Sequence, residues 1–220
     1  MTTTSLRDAA ASFLGVAVRP QTYRNLLYLA LAFPLGTAYF VALTVGFSLG
    51  IGLAITWFGI PILLATLAGA TVLATVEARL TNRLLGTSIP SRSPDTSGGI
   101  TTAVKRLVTD ARTWVDVGYL LGRFVFGVAA FVALVALLSL SLSLLAAPLT
   151  YSTAFYVDVQ VGTLTAGPFE NGRMAVDTFR EALGAAAVGT VTTLVSLHLL
   201  NGLARLAAGV TEAVLGTTDG

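Results

Sequence analysis

Charged residues are missing from three long stretches, and those gaps set the predicted elements. No Asp, Glu, Lys or Arg occurs in residues 25–76, 124–157 or 182–204. A helix needs about 20 apolar residues, rising about 1.5 Å each, to cross the hydrocarbon of a bilayer. The first stretch therefore predicts two spans, from about Asn25 to Val45 and from about Leu53 to Val76, and the other two predict one each. GFSLGIG, Gly46 to Gly52, is the expected turn of the first hairpin, and Pro34 is expected to kink the first span.

The flanks carry helical patterns of another kind. SLRDAAASFLGVAV places Leu6, Ala10, Phe13, Leu14 and Ala17 on one face, so residues 1–19 predict a helix lying on the membrane surface. Pro20 should end it, and Thr22 can cap the next helix. After the second span the helix is expected to continue as EARLTNRLLG, with Gly86 as its cap. Residues 88–99 are rich in Pro, Ser and Gly and read as a linker. ITTAVKRLVTDARTWV puts Ile100, Val104, Leu107, Val108, Ala111 and Val115 on one face, a second interfacial helix leading into the third span. That span should stop near Ala147, before Pro148. In the connection 148–181, Val157, Val159 and Val161 alternate with Asp158 and Gln160, and Asn171–Gly172 is a turn signal, so a small β-element fits there. Thr178 and Glu181 form a Thr-x-x-Glu capping box for the fourth span.

The chain also repeats itself. TYRNLLYLALAFPLGTAYFVAL, Thr22 to Leu43, returns as TWVDVGYLLGRFVFGVAAFVAL, Thr113 to Leu134, with ten of 22 positions identical and no gap. Both return helices end in Leu-Gly-Thr, at 85–87 and at 215–217. The expected fold is an all-α membrane protein: four transmembrane helices arranged as two hairpin repeats in parallel orientation, a pseudo-symmetric four-helix bundle. The divisions are an interfacial helix (1–19), hairpin repeat 1 (22–87), the linker (88–99), and an interfacial helix with hairpin repeat 2 (100–216).

Composition sharpens the picture in three ways. Charged residues make up 11% of the chain, against about 25% in a soluble domain, which excludes an ordinary soluble core. Cysteine is absent, so disulfide, thiol and iron–sulfur chemistry are excluded. The basic residues divide ten to two, with Arg123 set aside. Arg7, Arg19, Arg24, Arg79, Arg83, Arg92, Lys105, Arg106, Arg112 and Arg205 fall on one side of the predicted spans, and Arg173 and Arg180 on the other. Positive charge stays in the cytoplasm, so the reading is a multi-pass protein of the cell membrane with both termini and the central loop inside. The basic residues then serve topology and anionic lipid, and nucleic acid is not an expected partner.

The repeated Tyr-Leu-x3-Phe-x2-Gly-x3-Phe pattern (Tyr28 to Phe40, Tyr119 to Phe131) does not stand alone. With it come Glu77, Leu84-Leu85-Gly86-x2-Ile89-Pro90, Arg112-Thr113-Trp114, Ala147-Pro148-Leu149 and Val176-Asp177-Thr178. In this order and spacing the chain resembles the putative sensor domain family, a four-span membrane module often found N-terminal to sensor histidine kinases. The resemblance covers roughly residues 20–216. It implies a sensor-like module, here without a phosphoacceptor His or ATP-binding glycine boxes, so that a signal would pass to a separate histidine kinase or transcription regulator.

Ionisable groups inside spans are functional candidates by default. Arg123 and His198 are expected at similar depth, near Glu77, Asn25, Tyr28, Tyr119 and Asn201. Glu77 and Arg123 would form an ion pair within this cluster, shifted with pH by His198; alternatively Arg123 snorkels to the phosphates and His198 bonds a neighbouring helix. Gly118-x3-Gly122 offers a homodimer face or close packing inside the bundle, and Gly46-x3-Gly50 is assigned to the turn. Tyr151, Phe155, Tyr156, Phe169 and Phe179 either line an outer cleft for an apolar ligand or lipid or belong to the interfacial aromatic belt. Asp158, Glu170, Asp177 and Glu181 have no calcium-loop spacing, and neither HExxH nor GxSxG occurs. No metal, cofactor or enzymatic activity is expected. The leading expectation is a non-catalytic sensory or regulatory module that touches membrane lipids and a cytoplasmic partner; the alternative is a small transporter or channel.

Overall fold

A computed structural model describes residues 13–90, 100–151, 156–157, 169–170, 173–176 and 178–216. Its helices are α1 (Pro20–Gly52), α2 (Gly59–Leu85), α3 (Ile100–Thr109), α4 (Ala111–Thr150) and α5 (Phe179–Leu215). Four of them, α1, α2, α4 and α5, are long and apolar enough to cross a membrane. Their outward faces carry side chains such as Val125, Leu142, Leu199 and Leu206, all exposed, as surfaces that meet lipid must. The protein is a multi-pass, helical membrane protein.

Local sequence chemistry explains most of the helix ends. Thr178 and Glu181 cap α5 reciprocally: the Thr178 N–H donates to Glu181 Oε2 at 3.2 Å, and the Glu181 N–H to Thr178 Oγ1 at 3.3 Å. Gly86 ends α2 in the left-handed region at φ 73°, its N–H bonded to the Asn82 carbonyl. Asn82 then holds the chain beyond that end, accepting from the Ile89 N–H and the Thr87 hydroxyl and donating to the Ile89 carbonyl. Asp110 breaks the run from α3 into α4 and caps α4 through the Arg112 N–H at 2.9 Å.

Three expectations are corrected. The residues expected to turn the first hairpin, Gly46 to Gly52, are helical; the turn is Leu53–Phe58, built on a 3₁₀ segment at Ala54–Thr56. Gly46 and Gly50 instead let α1 and α2 approach, because a Cβ there would strike Thr66 and Leu63. Pro20 follows the helical residues 13–18 where that segment was expected to end, and it opens α1, as its missing N–H permits. Thr22 does not cap α1: its hydroxyl donates back to the Val16 carbonyl, tying α1 to a 3₁₀ turn at Gly15–Val18. Pro148 does not stop α4 but lies inside its last turn, the helix running on to Thr150. Of the expected surface helix at 1–19 and the linker at 88–99, residues 1–12 and 91–99 lie outside the described residues. The 148–181 connection holds a three-stranded antiparallel sheet, order β1 (Tyr156–Val157), β3 (Arg173–Ala175), β2 (Phe169–Glu170), with Tyr156 opposite Ala175 and Glu170 opposite Arg173.

Two compact units divide the chain. One comprises Met1–Thr22 and Ala133–Leu200. Its core is Leu144, Ala147, Val176, Ala182 and Ala185, and Ser141 donates to Ser196 between α4 and α5. The other comprises Tyr23–Val132 and Asn201–Gly220, with Tyr39, Leu43, Leu67, Ala70, Val117 and Leu120 as its core.

Within this second unit the repeated motif meets itself. Phe33 stacks on Phe131 with centroids 5.0 Å apart, and Phe40 on Phe124 at 4.6 Å. Between them Gly36 faces the backbone of Arg123 and Phe124, while Gly127 faces that of Ala32 and Phe33. A shift of 91 residues turns each contact into the other, carrying Phe33 to Phe124, Gly36 to Gly127 and Phe40 to Phe131. The expected parallel orientation of the two repeats is therefore not what α1 and α4 adopt. Rising from 33 to 40 on α1 means falling from 131 to 124 on α4, so the two helices cross antiparallel. The reason is that Phe-x2-Gly-x3-Phe is complementary to itself about a two-fold axis perpendicular to the helices: each glycine admits the partner backbone and each ring lies over the other motif's opposite ring. Trp114, two residues after Arg112, accordingly stacks near Phe47 at 6.3 Å. That puts the start of α4 beside the last turns of α1 and not beside Arg24, against the one-sided reading of the arginines.

Candidate functional site

Glu77 lies about two-thirds of the way along α2, fully buried, and Arg123 lies on α4, 4% exposed. Arg123 Nε donates to Glu77 Oε1 at 2.7 Å. The same oxygen lies 3.3 Å from the Tyr28 hydroxyl, and Oε2 accepts from the Tyr39 hydroxyl at 3.1 Å. The guanidinium rests over the rings of Tyr28 and Phe126, 4.7 and 5.2 Å from their centroids. A desolvated charge pair holds only when its remaining valences are met. Here the carboxylate is well supplied, but buried Arg123 Nη2 has no hydrogen-bond partner among the described residues.

The cluster is larger than the sequence suggested. Tyr39 and Thr81 belong to it, and helical spacing carried the signal: Tyr39 is three turns beyond Tyr28 on the same face of α1, and Thr81 is one turn beyond Glu77. Of the other expected members, Tyr119 bonds Thr211 at 2.9 Å, and Asn201 accepts from Asn25 at 2.7 Å, linking α5 to α1. The described contacts of His198 are elsewhere. Its Nδ1 lies 2.8 Å from the Leu194 carbonyl, and its ring stacks on Phe13 at 4.7 Å. Of the expected aromatic site, Tyr151 and Phe179 meet at 5.6 Å. Phe155 lies outside the described residues, and Tyr156 and Phe169 are described only as strand backbone. The close packing considered for Gly118 and Gly122 is not found among the described residues, where both face open space.

The repeat gives this site its meaning. The return helices share a shift of 130, from Leu-Gly-Thr at 85–87 to 215–217, which maps Thr81 onto Thr211. Each threonine donates to the carbonyl four residues back, Glu77 or Ala207, and each meets the tyrosine of its own hairpin, Tyr28 or Tyr119. These two tyrosines also differ by 91. The two Tyr–Thr latches are thus counterparts, whereas the charges are not: Glu77 corresponds to Ala207, and Arg123 to Ala32. One half of the pattern packs with alanine at both positions, and the other holds a buried ion pair.

The family described as "Putative sensor" matches residues 28–215, from Tyr28 of the cluster to the last residue of α5. The chain belongs to this family. The sensor match takes in both copies of the Phe-Gly-Phe motif, both Tyr–Thr latches and the ion pair. No curated protein and no solved structure matches the chain.

Proposed function

We propose that the chain is a non-catalytic sensory or regulatory membrane module that passes a state of the bilayer, or of the α4–α5 connection, to a separate cytoplasmic protein such as a histidine kinase or transcription regulator. The observation that carries the reading is the Glu77–Arg123 pair. It is buried, it joins α2 to α4, and it stands where the counterpart helices need only alanine, so packing alone does not account for it. An unmatched Nη2 leaves the pair short of full satisfaction, which suits an element with two arrangements close in energy. The N-terminal end of α1, with Arg24, faces the cytoplasm on this reading, and the C-terminal end of α2, joined to it by the Tyr28–Thr81 contact and exposing Arg79 and Arg83, supplies a surface for the partner. Proximity labelling in the native membrane tests it. A cytoplasmic regulator should be labelled, and its output should change with Glu77→Gln at equal protein level; absence of any such partner would remove the reading.

One observation favours a second reading, a small transporter or channel. The two-fold crossing of α1 and α4 is antiparallel, as in transporters built from inverted repeats with a polar site between them. Ion or solute flux in liposomes that is lost in Arg123→Ala would decide for transport.

A further inference from the structure

We infer that the turn between α1 and α2 is a lipid-inserting wedge, seated among the headgroups and upper acyl chains of a phospholipid leaflet. This does not rest on the sensory reading. An aqueous turn shows polar side chains and leaves its backbone to water; this one does the reverse. Ile55 is 92% exposed, Trp57 82% and Phe58 73%, with Ile51 and Ile60 exposed beside them. At Leu53 the backbone is satisfied from within: its carbonyl accepts the Thr56 N–H at 3.0 Å, the Gly59 N–H at 3.1 Å and the Thr56 hydroxyl at 2.8 Å, while its N–H bonds Leu49. Internal satisfaction of this kind is what backbone near lipid requires.

Position and conformation add two independent arguments. The turn lies inside the uncharged run 25–76. From Asn25 to the end of α1 at Gly52 is 28 residues, about 42 Å of helix at about 1.5 Å each. A hydrocarbon core of about 30 Å is thereby crossed with length to spare, and even a tilted α1 brings the turn to headgroup level. Trp57 also sits at φ 61°, in the left-handed region, which is strained for a bulky L-residue and which glycine would occupy freely. An exposed indole held there gains nothing from the surrounding protein, but the bilayer interface is where Trp is most favourable. The occupant is a phospholipid surface, continuous with the lipid around α1 and α2.

The test uses the chain's two tryptophans. Trp114→Phe leaves Trp57 alone, in vesicles of phosphatidylcholine with or without brominated acyl chains. Brominated lipid should remove most of the Trp57 emission, and aqueous acrylamide should remove little. Emission insensitive to brominated lipid and quenched by acrylamide would overturn the proposal, as would emission shielded from both, which would mean a second protein copy covers the turn. Should Trp114→Phe not fold, Ile55→Cys in this cysteine-free chain takes a nitroxide, whose relaxation should respond to oxygen in the bilayer and not to an aqueous nickel chelate. The opposite preference would equally overturn the proposal.

Discussion

Glu77 Oε1 and Arg123 Nε lie 2.7 Å apart, and each of the two residues stands where the other copy of its helix has alanine. Removing one charge strands its partner in a buried setting, at a cost of about 3–5 kcal/mol. Glu77→Ala and Arg123→Ala should each destabilise the protein in detergent by about that much. The double variant recreates the Ala207/Ala32 arrangement and should fall well short of the sum. Unfolding followed by circular dichroism measures all three; strictly additive losses would show that the residues do not act as a pair.

What could be read in advance follows a physical division. Four spans were legible because a missing charge over twenty residues has one good explanation. The Thr178–Glu181 box and the Gly86 cap were legible because capping is local. The turn was misplaced because glycine signals both turns and close helix contact, and Gly46 and Gly50 serve the second. The ion pair could be named because two charges among apolar residues must find partners, yet His198, equally conspicuous, packs on Phe13. Relative orientation of α1 and α4 was misread because repetition shows that two helices share a face without showing which way they meet. That depends on the self-complementarity of Phe33, Gly36 and Phe40, a three-dimensional property.

The antiparallel crossing predicts which engineered cysteines can bond. Phe40→Cys with Phe124→Cys should cross-link under mild oxidation, as the native rings stack at 4.6 Å. Tyr23→Cys with Trp114→Cys, equal positions that parallel repeats would bring side by side, should not, because Trp114 lies beside Phe47, 24 residues or about 36 Å along α1 from Tyr23. With no native cysteine in the chain, a gel mobility shift reads the result directly. The reverse pattern would mean that the repeats meet with their ends matched.

Glycines should divide by what they face. A methyl at Gly36 would come within 2.8 Å of the Arg123 carbonyl oxygen and 2.9 Å of Phe124 Cα, and backbone cannot step aside as a side chain can. Gly36→Ala and Gly127→Ala should each cost about 1–3 kcal/mol by overpacking. Gly118→Ala meets open space and should be neutral, or gain up to about 1 kcal/mol in helix propensity. Thermal unfolding of the three variants side by side would reveal a loss at Gly118, and with it a contact that the fold does not contain.

The tyrosines test whether the carboxylate is charged where it lies. Tyr39 is the one described donor to Glu77 Oε2, at 3.1 Å, whereas the described hydrogen-bond partner of Tyr119 is a hydroxyl, that of Thr211. Hydrogen bonds to a charged group contribute about 1.5–3 kcal/mol and those between neutral groups about 0.5–1.5. Tyr39→Phe should therefore destabilise the protein more than Tyr119→Phe does. Its excess should vanish in the Glu77→Ala/Arg123→Ala background, where no carboxylate awaits a donor. Measured by unfolding in both backgrounds, an excess that survived loss of the pair would assign Tyr39 to packing alone.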